Sequence, residues 1–227
     1  MKRTVLIALI LFPVLVLAQQ SETRSVNSFK GVKTGEAIDV YLKKGDKESV
    51  RVEVSGDNLG NVITEVSGSY LKIHRRETRF FEKNVDIKVY VTYVSINRIY
   101  ASSAANVFSD GAIKADNIEV HASSAADIEI SVEATSVIAE ASSAADIIIE
   151  GKAKTIKASA SSSGDVDAYR LEAESADANA SSAGGIKLWV SQALEASASS
   201  GGNVRYRGNP TRTNTHSSSG GSVKKAN

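Results

Sequence analysis

The most regularly spaced chemistry in the sequence is a series of acidic and amide side chains. Asn106, Asp127, Asp146, Asp165, Gly185, Asn203 and Ser222 follow one another at intervals of 21, 19, 19, 20, 18 and 19 residues. Carboxylates stacked at such an interval repel one another, and a divalent cation seated between them would relieve the repulsion. Two features argue against a calcium ladder. The glycine- and aspartate-rich nonapeptide of calcium-binding β-helices is missing, and Asp and Asn are ordinary turn residues. The three histidines, His74, His121 and His216, show no ligand spacing. A chain with no Cys also has no thiolate ligand, no disulfide and no Cys nucleophile. No metal site and no cofactor are expected.

A second kind of chemistry is concentrated between His74 and Lys83, the densest basic and aromatic stretch of the chain. As a hairpin tip it would fold Phe80 and Phe81 against the body of the protein. As an exposed surface, Arg75, Arg76, Arg79, Phe80 and Phe81 would form a contact site for an anionic glycan or another chain, because arginine beside aromatic rings favours recognition. These five residues are the candidate binding site. Polysaccharide cleavage on a β-helix would need carboxylates or a basic residue converging on a groove. Here acidic residues are spread about one per repeat, so no catalytic residues are expected. A flat serine-rich face suggests ice binding only weakly, since regular alternating threonines are lacking.

The elements that would position these residues are set by a repeat. Ala101-Ser-Ser-Ala-Ala-Asn-Val107 recurs as Ala122–Ile128 and Ala141–Ile147, and more loosely as Ala160–Val166, Ala180–Ile186, Ala198–Val204 and Ser217–Val223. The seventh position is always Val or Ile. Upstream of each corner, alternate positions are apolar, as in Ile118-Val120-Ala122 and Ile156-Ala158-Ala160, with polar residues between them. Period-two alternation specifies strands with one buried face. A unit of such length cannot enclose a core alone, whereas stacked copies bury their Ile, Val and Ala rows in one column. Six coil steps give a column of about 29 Å at the usual strand spacing. Parallel crossovers are nearly always right-handed. The expected fold is all-β: a right-handed parallel β-helix with coils of about 19 residues, two short strands per coil and a polar return. Small residues fit the sharp corner, with Ser hydroxyls serving turn backbone groups. Gly in the later copies fits a bend of unusual dihedrals.

Residues 29–100 form the N-terminal β-rich part, with strands expected at Ala37–Leu42, Ser49–Ser55, Val62–Glu65, Tyr70–His74, Val85–Tyr93 and Ile96–Tyr100. Nine of the 13 aromatic residues precede Ala101, while 24 of the 32 serines follow it. The interior should therefore be wider in the first half, which continues the column and caps it; a separate β-sandwich is the competing reading. Residues 101–227 are the repeat β-helix and its C-terminal cap. Glu22–Phe29 would cover one end, and the stretch from Val204 to Lys225 the other.

Residues 1–18 read as a secretory signal: Lys2 and Arg3, an uncharged run from Val5 to Leu17, and a small-residue exit at Ala18. Residues 19–28 form a lead-in. Cleavage would leave 209 residues with 25 basic and 26 acidic groups, and no further segment of membrane-spanning length. The balanced charge of the whole chain, +1, excludes nucleic acid as the main partner. At 42% hydrophobic residues the chain is not intrinsically disordered.

The chain also resembles a known family, the putative auto-transporter adhesin, head GIN domain family of exported proteins in Gram-negative envelopes. The resemblance is carried by Phe29-Lys-Gly-Val32, Ile38-Asp-Val-Tyr-Leu42 with Gly45-Asp46, Val50-Arg-Val-Glu-Val54 and Ile63-Thr-Glu65. It continues through Leu71-Lys-Ile73, Val89-Tyr-Val-Thr92, Ile99-Tyr-Ala-Ser-Ser-Ala104, the repeated Ser-Ser-Ala-Ala-Asp-Ile and Tyr206-Arg-Gly-Asn-Pro210. It implies a β-helical envelope protein and brings no catalytic residues. The expected function is that of an exported, non-enzymatic structural or adhesive protein, whose partner is an envelope glycan or a surface protein. A polysaccharide-processing enzyme on the same scaffold is the alternative.

Overall fold

The structure, a computed structural model, describes residues 20–76 and 85–226. The expected signal segment at 1–18 lies outside the described residues, as do Arg79, Phe80 and Phe81. Eight strands make up the first half: β1 (Gln20–Arg24), β2 (Gly31–Thr34), β3 (Asp39–Lys44), β4 (Ser49–Ser55), β5 (Val62–Ser67), β6 (Tyr70–Arg75), β7 (Asp86–Tyr93) and β8 (Arg98–Ala101). Five long strands follow: β9 (Asn106–Ser123), β10 (Asp127–Ser142), β11 (Asp146–Ser161), β12 (Asp165–Ala180) and β13 (Gly185–Ala198). The last are β14 (Asn203–Arg207), β15 (Arg212–Ser217) and β16 (Ser222–Lys225). One 3-10 turn, Leu59–Asn61, is the only helical element among the described residues.

The repeats stack as a parallel β-solenoid. Ile128 stands in register with Val107 on one side and Ile147 on the other, and Ile147 with Val166. All four are at most 1% exposed. The second apolar row, Ile118, Val137, Ile156, Ala176 and Leu194, is in register in the same way. A fully buried Val or Ile contributes about 1.5–3 kcal/mol, so a continuous column of them is the main source of stability.

Each coil differs in one respect from two short strands with a polar return. Residues 131–136 stay in the parallel ladder instead of leaving it: Val132 pairs with Ile113 and Gly151, and Ala134 with Ala115 and Ala153. Val132 points inward and is fully buried. A single long strand therefore runs from one corner to the next, bending as it goes.

The corners carry pairs of non-glycine residues with positive φ. Ser103 and Ala104, Ser124 and Ala125, Ser143 and Ala144, Ser162 and Ser163, and Ser182 and Ala183 all have φ between 49° and 61°. Backbone of this kind costs about 1–2 kcal/mol per residue for an L-amino acid. It is held by a ladder of hydrogen bonds from corner to corner. Ala104 N–H donates to the Ser124 carbonyl, Ala125 to Ser143, Ala144 to Ser162, Ser163 to Ser182 and Ala183 to Ser200, at 3.0–3.1 Å.

Most of the later corner glycines have another cause than the unusual dihedrals expected of them. Gly164, Gly184 and Gly202 are not at positive φ, and a Cβ on any of them would lie 2.4–2.7 Å from the backbone of the preceding coil. Close approach of two coils excludes the side chain there. Dihedral demand explains Gly201 and Gly220, both at φ +76°.

The first half belongs to the same hydrogen-bonded sheet. On one face β9 pairs with β3, then β7, β4 and β1; on the other β9 pairs with β8, then β2, β6 and β5. The pairing is parallel as far as β7 and β6 and antiparallel beyond them, at β4, β1 and β5. Interior side chains are larger here, including Phe29, Leu42, Leu71 and Ile73.

At the other end, the inward register positions above Leu194, Ala196 and Ala198 are taken by Thr213, Thr215 and Ser217. Strand β15 is exposed throughout. Hydroxyls replace methyl groups where the column meets water.

Candidate functional site

Arg75 ends strand β6, and its guanidinium Nη2 lies 2.9 Å from Asp57 Oδ2, with side-chain exposures of only 14% and 7%. Burial alone would raise the Asp57 carboxyl. Hydrogen bonds from the Asn58 backbone, the Asn61 side chain and Arg75 outweigh that and hold it below its ordinary value. The Arg75 backbone N–H donates to Glu36 Oε2 at 2.6 Å. Arg75 thus helps hold the β6 end to the Asp57 turn. Arg76, the next residue, is exposed.

The acidic series forms a straight outward row. Asp127, Asp146 and Asp165 are in direct register, and the row continues through Asn106 to Asp39, where Asn106 Nδ2 donates to Asp39 Oδ1 at 2.7 Å. Burial, then the charges of Asp165 and Asp127, push the Asp146 carboxyl above its ordinary value. Among the described residues, no three His, Cys, Asp or Glu side chains are grouped to hold a metal ion.

Two outward aromatic rows lie across the first half. Tyr41 stacks between Tyr90 at 5.1 Å and Phe108 at 5.3 Å, and the Arg51 guanidinium covers the Tyr90 ring at 4.2 Å. On the other face Tyr100 stacks on His121 at 4.5 Å with the planes 3° apart, and Tyr70 meets Tyr100 edge-on at 5.7 Å. Gly31 makes room for Tyr70: a Cβ there would lie 2.6 Å from that ring. Arg98 and Glu119 flank the cluster at 3.7 Å, and His121 Nδ1 lies 3.0 Å from Glu140 Oε2. Burial, with Tyr70 and Glu119 adding to it, pushes the Tyr100 hydroxyl up to about 12. His121 faces outward as its strand position predicts, yet it is stacked and paired instead of freely solvated. His216 lies on the exposed strand β15.

These rings were not singled out in the sequence. Their outward positions were readable from the alternation, but Tyr41, Tyr90 and Phe108 meet only because β7 and β9 flank β3. The three rings stack along the column and are half-buried. Such pairs contribute about 0.5–1.5 kcal/mol each beyond burial.

Several solved structures share this fold, among them these three. A putative adhesin from Bacteroides fragilis superposes with a TM-score of 0.83 at 16% identity, covering 92% of this chain and 97% of that one. A putative adhesin from Parabacteroides merdae gives 0.75 at 15% identity, covering 92% and 96%. A putative lipid binding protein from Parabacteroides distasonis gives 0.69 at 15% identity, covering 92% and 97%. At such identities the likeness concerns the fold alone. No curated protein is significantly similar in sequence. The sequence from residue 28 to residue 210 matches the family described as putative auto-transporter adhesin, head GIN domain, and the chain belongs to that family.

Proposed function

We propose that the protein is exported and serves at the cell envelope as a non-enzymatic structural or adhesive module. One observation carries this reading: the column fixes long outward rows of side chains in register, from Asp39 to Asp165 and from Tyr90 to Phe108. A surface of repeated, rigidly held groups suits contact with an extended partner, because little side-chain or backbone order must be gained on binding. Family membership supports the same direction. The segment from Arg76 to Phe81 is proposed as one contact point, for an anionic glycan or a surface protein; Arg75 serves mainly to hold the fold.

The test combines cell fractionation with a glycan array and a reducing-sugar assay on the purified protein. Recovery in the envelope fraction with binding but no turnover is the expected result. New reducing ends released from any polysaccharide would overturn the non-enzymatic reading. Replacing Arg76, Arg79, Phe80 and Phe81 by Ser should abolish binding of anionic glycans while leaving the melting temperature within a few degrees. Unchanged binding would remove the segment as a contact point.

A further inference from the structure

The side of the column made by residues 131–136 and their counterparts holds a feature that none of the preceding sites uses. An open trough of about 890 Å³ runs across successive coils there. Ala134 lies in register with Ala115 and Ala153, and Ala153 with Ala173; these four alanines form the floor. One wall is the row Lys114, Glu133, Lys152 and Glu172, and Trp189 continues that row on β13. The other wall contains Asp116, Thr135, Lys154 and Glu174.

The lining restricts what could lie in this trough. The two walls carry three lysines against four carboxylates, and the charges alternate in sign from coil to coil along the first wall. A polyanion or a polycation would meet a like charge at every second step. Lys114 lies 2.8 Å from Glu133 and Lys152 lies 3.5 Å from Glu172, both pairs well exposed. Exposed pairs of this sort are worth about 0–1 kcal/mol, so they reorient toward a ligand at small cost. Asp116 and Lys154 make no side-chain bond to any other described residue. The floor backbone is already committed to the coil ladder, which leaves no strand edge for an added peptide. Trp189 is the only tryptophan in the chain, half-buried, and offers an apolar ring beside polar groups.

We propose that this trough binds a linear, uncharged glycan laid along the column axis. Its hydroxyl groups bond to the carboxylates and lysines of the two walls, and one sugar ring packs on Trp189. Apolar area beside a few placed polar groups is the usual make-up of a small-molecule site. The spacing fits as well: a regular polymer meets a wall that offers one side chain per coil, and the four coil steps from Lys114 to Trp189, about 19 Å, hold about four sugar rings. The proposal rests on the adhesive reading and gives it a ligand class and a place.

Because Trp189 is unique, its fluorescence reports on this trough alone. The intact protein is titrated with cellohexaose and mannohexaose, with a heparin hexasaccharide as the anionic comparison, and the same sugars are applied to immobilised protein. A saturable shift in Trp189 emission with at least one neutral hexasaccharide is expected, at least tenfold weaker with the disaccharide, and abolished in Ala134→Gln, which fills the half-buried floor. Unchanged melting of that variant shows that the column is intact; Glu133→Ala together with Lys152→Ala gives a second variant, expected to weaken binding at least fivefold. Neutral sugar retained on the immobilised protein without any Trp189 response, or a response unaltered by both variants, overturns the trough and leaves the adhesive reading in place. An equal response to heparin overturns the assignment to an uncharged chain. Release of new reducing ends together with a Trp189 response leaves the trough standing and overturns the non-enzymatic reading instead.

Discussion

Asp146 is flanked by Asp127 on one neighbouring strand and Asp165 on the other, so its charge is surrounded by like charge. Burial and these two neighbours raise its pKa in the folded protein above the ordinary value of 3.8. Between that ordinary value and the raised one, the folded state binds more protons than the unfolded chain. Stability therefore falls as pH rises through the window, and the full repulsion is present at neutral pH. Asp146→Asn should melt about one to two degrees higher than the parent at pH 7, in line with the usual cost of like charges on adjacent strands. The gain should vanish at pH 3, where the carboxyls are protonated. Equal gains at both pH values in thermal melts would show that charge is not the cause. The acidic spacing that defines this row was visible in the sequence, because each member holds the same place relative to its corner. The ion pair of Arg75 with Asp57 was not visible, since nothing in either local sequence links a β6 end to a turn 18 residues earlier.

The corner is the element on which the coil depends. Ala144 has φ +59°, and its N–H donates to the Ser162 carbonyl at 3.1 Å. A β-branched residue is a steric outlier in that region of backbone, while glycine is at ease in it. Ala144→Val should lower stability by about 1–2 kcal/mol and Ala144→Gly should leave it unchanged or raise it by up to about 1 kcal/mol, read as shifts in denaturant midpoint. The reverse order would place the demand on side-chain volume instead of dihedrals. An eighth corner also exists, unrecognised in the sequence. Glu36 and Ala37 have φ 63° and 57°, and Ala37 N–H donates to the Ser103 carbonyl at 2.9 Å. Asp39 and Val40 then take the register of Asn106 and Val107. The stretch Thr34-Gly-Glu-Ala-Ile-Asp-Val40 has the shape of the corner with few of its letters. Thr34 stands where the clear copies have Ala, its hydroxyl buried without a partner, and Glu36 stands where they have Ser. The following coil is interrupted by the β4 to β7 excursion, which hides the interval. Periodicity shows a solenoid only where the coil length is kept.

At the scale of the molecule, the coils interact with their immediate neighbours, so length should be adjustable in whole coils and in nothing smaller. Asp146 is in register with Asp165, which makes residues 146–164 one complete coil of 19 residues. Removing it brings Ala145 to Asp165, restores a corner followed by an inward Val166, and places β10 on β12 with Ile128 over Val166. The burial given up is that of one coil, including the fully buried Ile147, Ile149 and Ala158. Nearest-neighbour energetics then predict a shorter column that still unfolds cooperatively, with a melting temperature lower by several degrees. Removing residues 146–154 instead deletes half a coil. Ile156 would then fall on the inward site of Ile147, but the corner at Ser161–Gly164 would arrive half a coil early, where the neighbouring coils run as straight ladder. The corner-to-corner hydrogen bonds and the register of every later strand would be lost. That variant should fail to give a cooperative melt by circular dichroism and should elute as aggregate in size-exclusion chromatography. Equal tolerance of both deletions would mean that register is not what holds the column together. Failure of both would mean that the coils are coupled beyond their neighbours, with the antiparallel first half needing every later coil to stay closed.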